Sequence, residues 1–114
     1  MNNSKNKIAV AYLARGADKD WLFSCRRFFN SYKSNPAMVS HSLYVIYKGF
    51  THESDLDEAR EVFYDVPHTP IFLDDNSFDI GAYIEWAHMI EEDLICVFNT
   101  ASEILAPGWL NKLV

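Results

Sequence analysis

The sequence predicts an α/β fold, a parallel-sheet, Rossmann-like three-layer sandwich, and three observations predict it. The runs Ile8–Leu13, Ser42–Tyr47 and Leu94–Phe98 are mostly apolar or aromatic and lack the polar alternation of a half-solvated strand, as expected of strands covered on both faces. Segments with apolar residues at helical spacing separate them. Strand and helix patterns thus alternate along the chain, which is how βα units with a parallel sheet read.

The elements follow in order. Strand 1, Ile8–Leu13, has the composition of a central strand and ends in the turn Ala14-Arg15-Gly16-Ala17. Helix 1 is predicted over Lys19–Tyr32, with Asp18 as its N-cap and Trp21, Leu22, Cys25, Phe28 and Phe29 on one side. Ser34-Asn35-Pro36 closes it. Strand 2, Ser42–Tyr47, is rich in β-branched and aromatic residues and leads into Lys48-Gly49-Phe50. Helix 2 is predicted over Ser54–Phe63, with Ser54-Asp55-Leu56-Asp57 as a capping arrangement whose carboxylates suit the helix dipole.

The prolines of Val66-Pro67-His68-Thr69-Pro70 hold that segment extended. A short strand 3, Ile71–Leu73, and a turn at Asp74-Asp75-Asn76-Ser77 follow. Helix 3 is predicted over Ile80–Glu91 and strand 4 over Leu94–Phe98, another buried-looking run. A polar loop, Asn99–Glu103, precedes a last helix opened by Pro107. The sheet order expected from this arrangement is 3-2-1-4.

The chain has 114 residues, 49% hydrophobic and 15% aromatic. That composition suits one compact domain and excludes disorder. A formal net charge of −6 weighs against non-specific binding to nucleic acid or an anionic membrane, both of which need a basic face. No apolar run approaches the ~20 residues of a membrane-spanning helix. The apolar run near the start is followed at once by Arg15, Asp18, Lys19 and Asp20, so it reads as a strand rather than a leader. Cys25 and Cys96 match no metal-ligand spacing and read as buried free thiols of a cytoplasmic protein.

The C-terminal third carries the most specific pattern. Asp79-Ile80-Gly81 opens a helix, a hydrophobic strand follows, and then comes Phe98-Asn99-x-x-Ser102-Glu103-Ile104-x-x-Pro107-Gly108-Trp109-Leu110. Together with strand 1, its turn and strand 2, this resembles the nucleotide-sugar-binding half of a family 2-type glycosyltransferase with the GT-A fold. It resembles in particular members linked with rhamnan or cell-surface polysaccharide synthesis. The similarity follows the chain nearly throughout, but only Asp79–Leu110 carries distinctive motifs.

The resemblance implies a nucleoside-diphosphate sugar as ligand and a glycan or lipid-linked acceptor held by a further half. Ala14, Arg15 and Gly16 would lie against the nucleotide base, and Lys48 stands where the family usually has an acidic pair. Asp79 and Gly81 match the positions flanking the nucleotide. Asn99 matches the first position of the family's DxD motif, which holds Mg²⁺ or Mn²⁺, and Glu103 is the one carboxylate in that loop. The second DxD position is Ala101. Family members carry their catalytic base later in the chain, so these residues are expected to be inactive in transfer by themselves. The chain accordingly reads as a single domain, 1–114, forming the front part of something larger. Its last helix looks uncovered, which suggests self-association.

The residues also have plainer readings. Asp79 serves equally as a helix N-cap, Gly81 as a helix–strand packing residue, and Asn99 and Ser102 as turn formers. Lys48 either contacts phosphate or is a solvated loop-tip lysine. Asp74-Asp75 could suggest a phosphoryl-accepting receiver domain, but Ala14-Arg15-Gly16 lacks the acidic pair such a domain needs. A non-catalytic α/β interaction module is the alternative to a glycosyltransferase.

Overall fold

A computed structural model of the chain describes residues 7–73 and 79–113, with the backbone alone for Asp79 and Ile80. The strands are β1 (Ile8–Arg15), β2 (Ser42–Lys48), β3 (Thr69–Leu73) and β4 (Leu94–Phe98). The helices are α1 (Trp21–Ser34), α2 (Glu53–Val62), α3 (Asp79–Ala87) and α4 (Trp109–Leu113). The four strands form one parallel sheet in the order β3-β2-β1-β4. This is the Rossmann-like α/β sandwich that the alternation of patterns predicts.

β1 is central because both of its faces are apolar. Ile8 through Ala14 are all buried, and the two faces meet different helices. Tyr12, Ala14, Val45 and Tyr47 join Cys25, Phe28, Ala59 and Phe63 in a core beneath α1 and α2. Tyr12 stacks on Phe28 with ring centroids 4.1 Å apart and planes 13° from parallel. Ala9, Ala11, Leu13 and Ile46 turn to the opposite face, where Trp86 of α3 covers them. Burial of these large aromatic side chains supplies most of the driving force for closing the layers.

Several boundaries differ from the sequence expectation, each for a local reason. Asp18 does not cap α1. Its carboxylate lies 2.9 Å from the Arg15 guanidinium, and the helix begins after Asp20, which makes no side-chain capping bond. Likewise α2 starts at Glu53 behind His52, so Ser54 lies inside the helix rather than at its cap. β3 begins two residues early and includes Pro70, which an edge strand tolerates because its outer side needs no amide donor. α3 ends at Ala87, well before Glu91, because the chain must turn back: the Asp93 and Leu94 amides bond the Lys7 carbonyl at 2.9 and 3.1 Å to begin β4. The expected turn at Asp74–Ser77 lies outside the described residues.

β4 has the expected bounds but not the expected burial. It is an edge strand, and Leu94, Ile95 and Val97 are all exposed. Conversely, α4 is better covered than its sequence suggests. Leu110 is fully buried against Ile8, Val10, Ala37 and Leu43, Trp109 packs beside it, and Leu113 is exposed. Among the described residues no helix is long and apolar enough to cross a membrane.

Candidate functional site at the carboxyl ends of the strands

In an open parallel sheet, ligands bind beyond the carboxyl ends of the strands where chain order reverses. Here β2 lies on one side of β1 and β4 on the other, so the loops after β1 and β4 leave the sheet at the reversal. Arg15, Gly16, Asn99 and Thr100 stand at that point.

β4 stops pairing at Phe98, opposite Tyr12, while β1 runs on to Arg15. The ladder groups of β1 beyond this point need other partners. Thr100 supplies them. Its hydroxyl donates to the Leu13 carbonyl at 2.7 Å and accepts from the Arg15 amide at 3.2 Å. Its own carbonyl accepts the Tyr12 phenol at 2.7 Å. Thr100 is buried, and it fixes where the Asn99–Ser102 loop leaves the sheet. Sequence reasoning passed over it in favour of Asn99 and Ser102. The available signal was a hydroxyl two residues beyond a strand shorter than its neighbour.

Burial holds the Tyr12 phenol far above its usual range, with the nearby Cys25 thiol adding to the shift. Burial likewise pushes the Cys25 thiol up to about 12, against the bond with Tyr12, which lowers it. Neither group is ionised near neutrality. Both are parts of the wall behind the crevice rather than reactive groups within it.

On the other side of Arg15 the chain is drawn tightly to β2. The Gly16 amide bonds the Lys48 carbonyl at 2.7 Å, and a Cβ on Gly16 would lie 2.5 Å from the Phe50 ring. Glycine is needed there for closeness of approach. Lys48 is the last residue of β2, paired with Arg15 and Leu73. It is 1% exposed and engaged within the protein, which corrects the solvated-loop reading: a position inside the sheet, flanked on both sides, leaves no path to water. Ala14 is buried in the core, so of the first turn only Arg15 and Gly16 reach the crevice side. Arg15 is about a third exposed and tied to Asp18. Beyond β2 and β3, Tyr47, Gly49, Phe50, Leu56 and Phe72 line a hollow of about 220 Å³. Within it Tyr47 stacks on Phe72 at 5.5 Å. The Tyr47 hydroxyl is buried without a hydrogen-bond partner among the described residues.

The remaining expected site residues are more scattered. Gly81 lies half-buried in the first turn of α3, and the Asp79 side chain lies outside what is described. Asn99 is exposed at the exit of β4, and its side-chain oxygen accepts the Ser102 hydroxyl at 3.0 Å. Glu103 lines a separate hollow of about 480 Å³ with Phe23, Arg26, Arg27 and Ser34 of α1. Hard divalent cations take several oxygen ligands, usually including carboxylates. One amide oxygen already bonded, and a carboxylate facing the α1 hollow, do not make such a set. Among the described residues no three His, Cys, Asp or Glu side chains converge.

The Pro107-Gly108-Trp109-Leu110 motif lies away from the crevice. The Trp109 indole donates to the Asn35 carbonyl at 2.9 Å, and the Gly108 amide to the Pro36 carbonyl at 2.6 Å. Gly108 has φ of +73°, a conformation that favours glycine. With Leu110 against Ile8 and Leu43, the motif seals the amino end of the sheet. Comparison with known proteins finds no matching family model, curated protein or solved structure.

Proposed function

We propose that this chain is a nucleoside-diphosphate-sugar-binding domain of the glycosyltransferase type, serving surface-polysaccharide synthesis. The observation that carries the reading is the reversal of strand order between β1 and β4, with Arg15, Gly16 and Thr100 at its mouth. The resemblance of Asp79-x-Gly81 and Pro107–Leu110 to the family adds to it. The aromatic hollow beside Gly49 offers a stacking surface for a base, with a Tyr47 hydroxyl at its wall that has no hydrogen-bond partner among the described residues. Glycosyl transfer itself is a displacement at the anomeric carbon that releases a nucleoside diphosphate. The carboxylate nearest the mouth of the β1/β4 crevice, Asp18, is held by the Arg15 guanidinium at 2.9 Å, so the proposed role of these residues is donor binding.

Titration calorimetry with UDP and with GDP, each with and without Mn²⁺, tests the proposal. Saturable binding of either nucleotide, weakened by Arg15→Ala, supports it. Absence of heat from a folded protein in every arm overturns it. A metal requirement would assign Asn99 a role that its bond to Ser102 does not favour.

A second reading, a non-catalytic interaction module, is favoured by one observation. The loop that aligns with the family's metal motif is closed on itself and on α1. Asn99 accepts Ser102, and the Ala101 carbonyl accepts the Arg27 guanidinium at 2.8 Å. Absence of nucleotide binding by the folded protein, with and without Mn²⁺, would favour that module.

A further inference from the structure

Arg15 is pinned at both its amide and its carbonyl, so only its side chain is left to answer a ligand. Its amide donates to the Thr100 hydroxyl at 3.2 Å, and its carbonyl accepts the Asp18 amide at 3.1 Å. It also pairs with Lys48 at the end of β2, to which the Gly16 amide is bonded in turn. The turn so held brings Asp18 back over the strand end, where its Oδ1 lies 2.9 Å from Arg15 Nη1. Both side chains are partly exposed. The field of this carboxylate reaches the wall behind the crevice: burial is the main cause that raises the Tyr12 phenol and the Cys25 thiol, and the Asp18 charge adds to both. The neighbouring cations are committed elsewhere. Arg27 donates to the Ala101 carbonyl at 2.8 Å and faces the α1 hollow with Glu103, and Lys48 is buried and engaged inside the sheet.

From this geometry we propose that Asp18 is a built-in competitor for the diphosphate of the nucleotide ligand, holding the Arg15 guanidinium until a more highly charged anion displaces it. The inference rests on the nucleotide reading proposed above and adds which part of the ligand the crevice selects. A carboxylate and a phosphate recognise the same guanidinium N–H groups. They also repel each other at close range, so the ligand gains most by taking the carboxylate's place. The exchange is easy, because an exposed ion pair is individually weak. A diphosphate, with more charge and more acceptor oxygens than one carboxylate, wins it. A nucleoside carries no charge, gains nothing from Arg15 and leaves the pair closed. Asp18 thus sets a threshold of ligand charge, and removing it lowers that threshold.

Titration calorimetry of the parent, Asp18→Asn and Asp20→Asn with UDP, GDP, uridine and guanosine is the test. Asp18→Asn keeps the side-chain shape and the backbone bond of the turn and removes the charge. It should bind the nucleoside diphosphate about threefold to tenfold more tightly than the parent does, and the corresponding nucleoside no more tightly. Asp20→Asn makes the same change in net charge at an exposed side chain without a capping bond, and should match the parent. Asp18→Ala provides the same readout should Asp18→Asn fold poorly, and Asp18→Glu, which restores the charge, should return the affinity toward that of the parent. Diphosphate binding that is unchanged or weaker in the folded Asp18→Asn and Asp18→Ala proteins would overturn the inference and leave the nucleotide reading standing. An equal gain for the nucleoside, or an equal gain in Asp20→Asn, would do the same, since neither depends on Arg15 changing partners. Absence of UDP and GDP binding in both the parent and Asp18→Asn overturns the inference together with the reading it rests on.

Discussion

Thr100 completes the ladder of β1 where β4 has run out: its hydroxyl lies 2.7 Å from the Leu13 carbonyl oxygen and 3.2 Å from the Arg15 amide. One side chain thus stands in for backbone that a longer β4 would have provided. Thr100→Val keeps the shape and removes the hydroxyl, leaving a buried carbonyl and an amide without it. Such groups cost about 1–3 kcal/mol when left unsatisfied. The expected outcome in urea unfolding is a loss of that size, with Thr100→Ser recovering most of it. A Thr100→Val protein as stable as the parent would show that water takes over both bonds.

The thiols should separate by reactivity. Cys25 is fully buried and desolvation pushes its pKa up to about 12, from an ordinary 9.0. Cys96 is only half-buried and raised less severely by the same cause. Thiolate is the reactive form. A disulfide reagent at mildly alkaline pH should therefore modify Cys96 in the native protein and Cys25 only after unfolding. Cys96→Ser should abolish the native reaction. Because the folded-state value of Cys25 is raised, its contribution to stability is complete below about pH 9 and is lost as pH rises from 9 toward 12.

How far the fold could be read in the sequence depended on what each residue's role required. β1 was legible because burial on both faces demands an unbroken apolar run, and the alternation of elements settled the parallel sheet. β4 shows the limit: the same kind of run occupies an edge, since side-chain pattern reports which residues are apolar and not whether a neighbour covers them. Asp18 and Ser54 were assigned caps on residue type, yet Asp18 was taken by Arg15 and α2 started one residue earlier. The crevice was partly legible. Arg15 and Gly16 stand at it, but Thr100 acts through tertiary bonds to a strand more than eighty residues earlier, which no local pattern contains. Pro107 opens a last helix in sequence, but where that helix sits is set by Asn35, Pro36 and Ala37, which hold Gly108–Asn111 at the opposite end of the sheet from the crevice.

A pair at the amino end of the sheet should give stability a two-sided pH dependence. The Tyr44 hydroxyl lies 2.9 and 3.1 Å from the two carboxylate oxygens of Glu92. Desolvation, with the bond and charge of Glu92, pushes the Tyr44 phenol up to about 12. Desolvation opposes ionisation of Glu92, but hydrogen bonds led by Tyr44 outweigh it and lower its pKa. The lowered acid contributes above its ordinary 4.5 and loses that contribution as pH falls through its folded value. The raised phenol contributes below its ordinary 10.0 and loses that contribution as pH rises toward 12. The pair is partly solvated, so its contribution is no more than about 1 kcal/mol. The difference in stability between the parent and Tyr44→Phe should be flat between these limits and shrink at both ends. A difference independent of pH would show that Tyr44 acts through packing alone.

Gly16 should tolerate no side chain while Phe50 is present. Its backbone conformation is not left-handed, so the obstacle is steric: a Cβ would meet three atoms of the Phe50 ring, the nearest at 2.5 Å. That ring is held in turn by Trp21, edge-on with centroids 5.1 Å apart, and by Tyr47 at 6.3 Å. It cannot yield without disturbing the first turn of α1 or the end of β2. Overpacking of this kind costs about 1–3 kcal/mol. Gly16→Ala should lose that much in urea unfolding, whereas adding Gly16→Ala to Phe50→Ala should cost far less than it does alone. The non-additivity of the double-mutant cycle measures the contact directly. The same cycle read by UDP calorimetry separates stability from the crevice. If the Gly16 turn shapes the nucleotide site, Gly16→Ala weakens binding and Phe50→Ala restores it; a cycle additive in both readouts would show that the two residues do not meet.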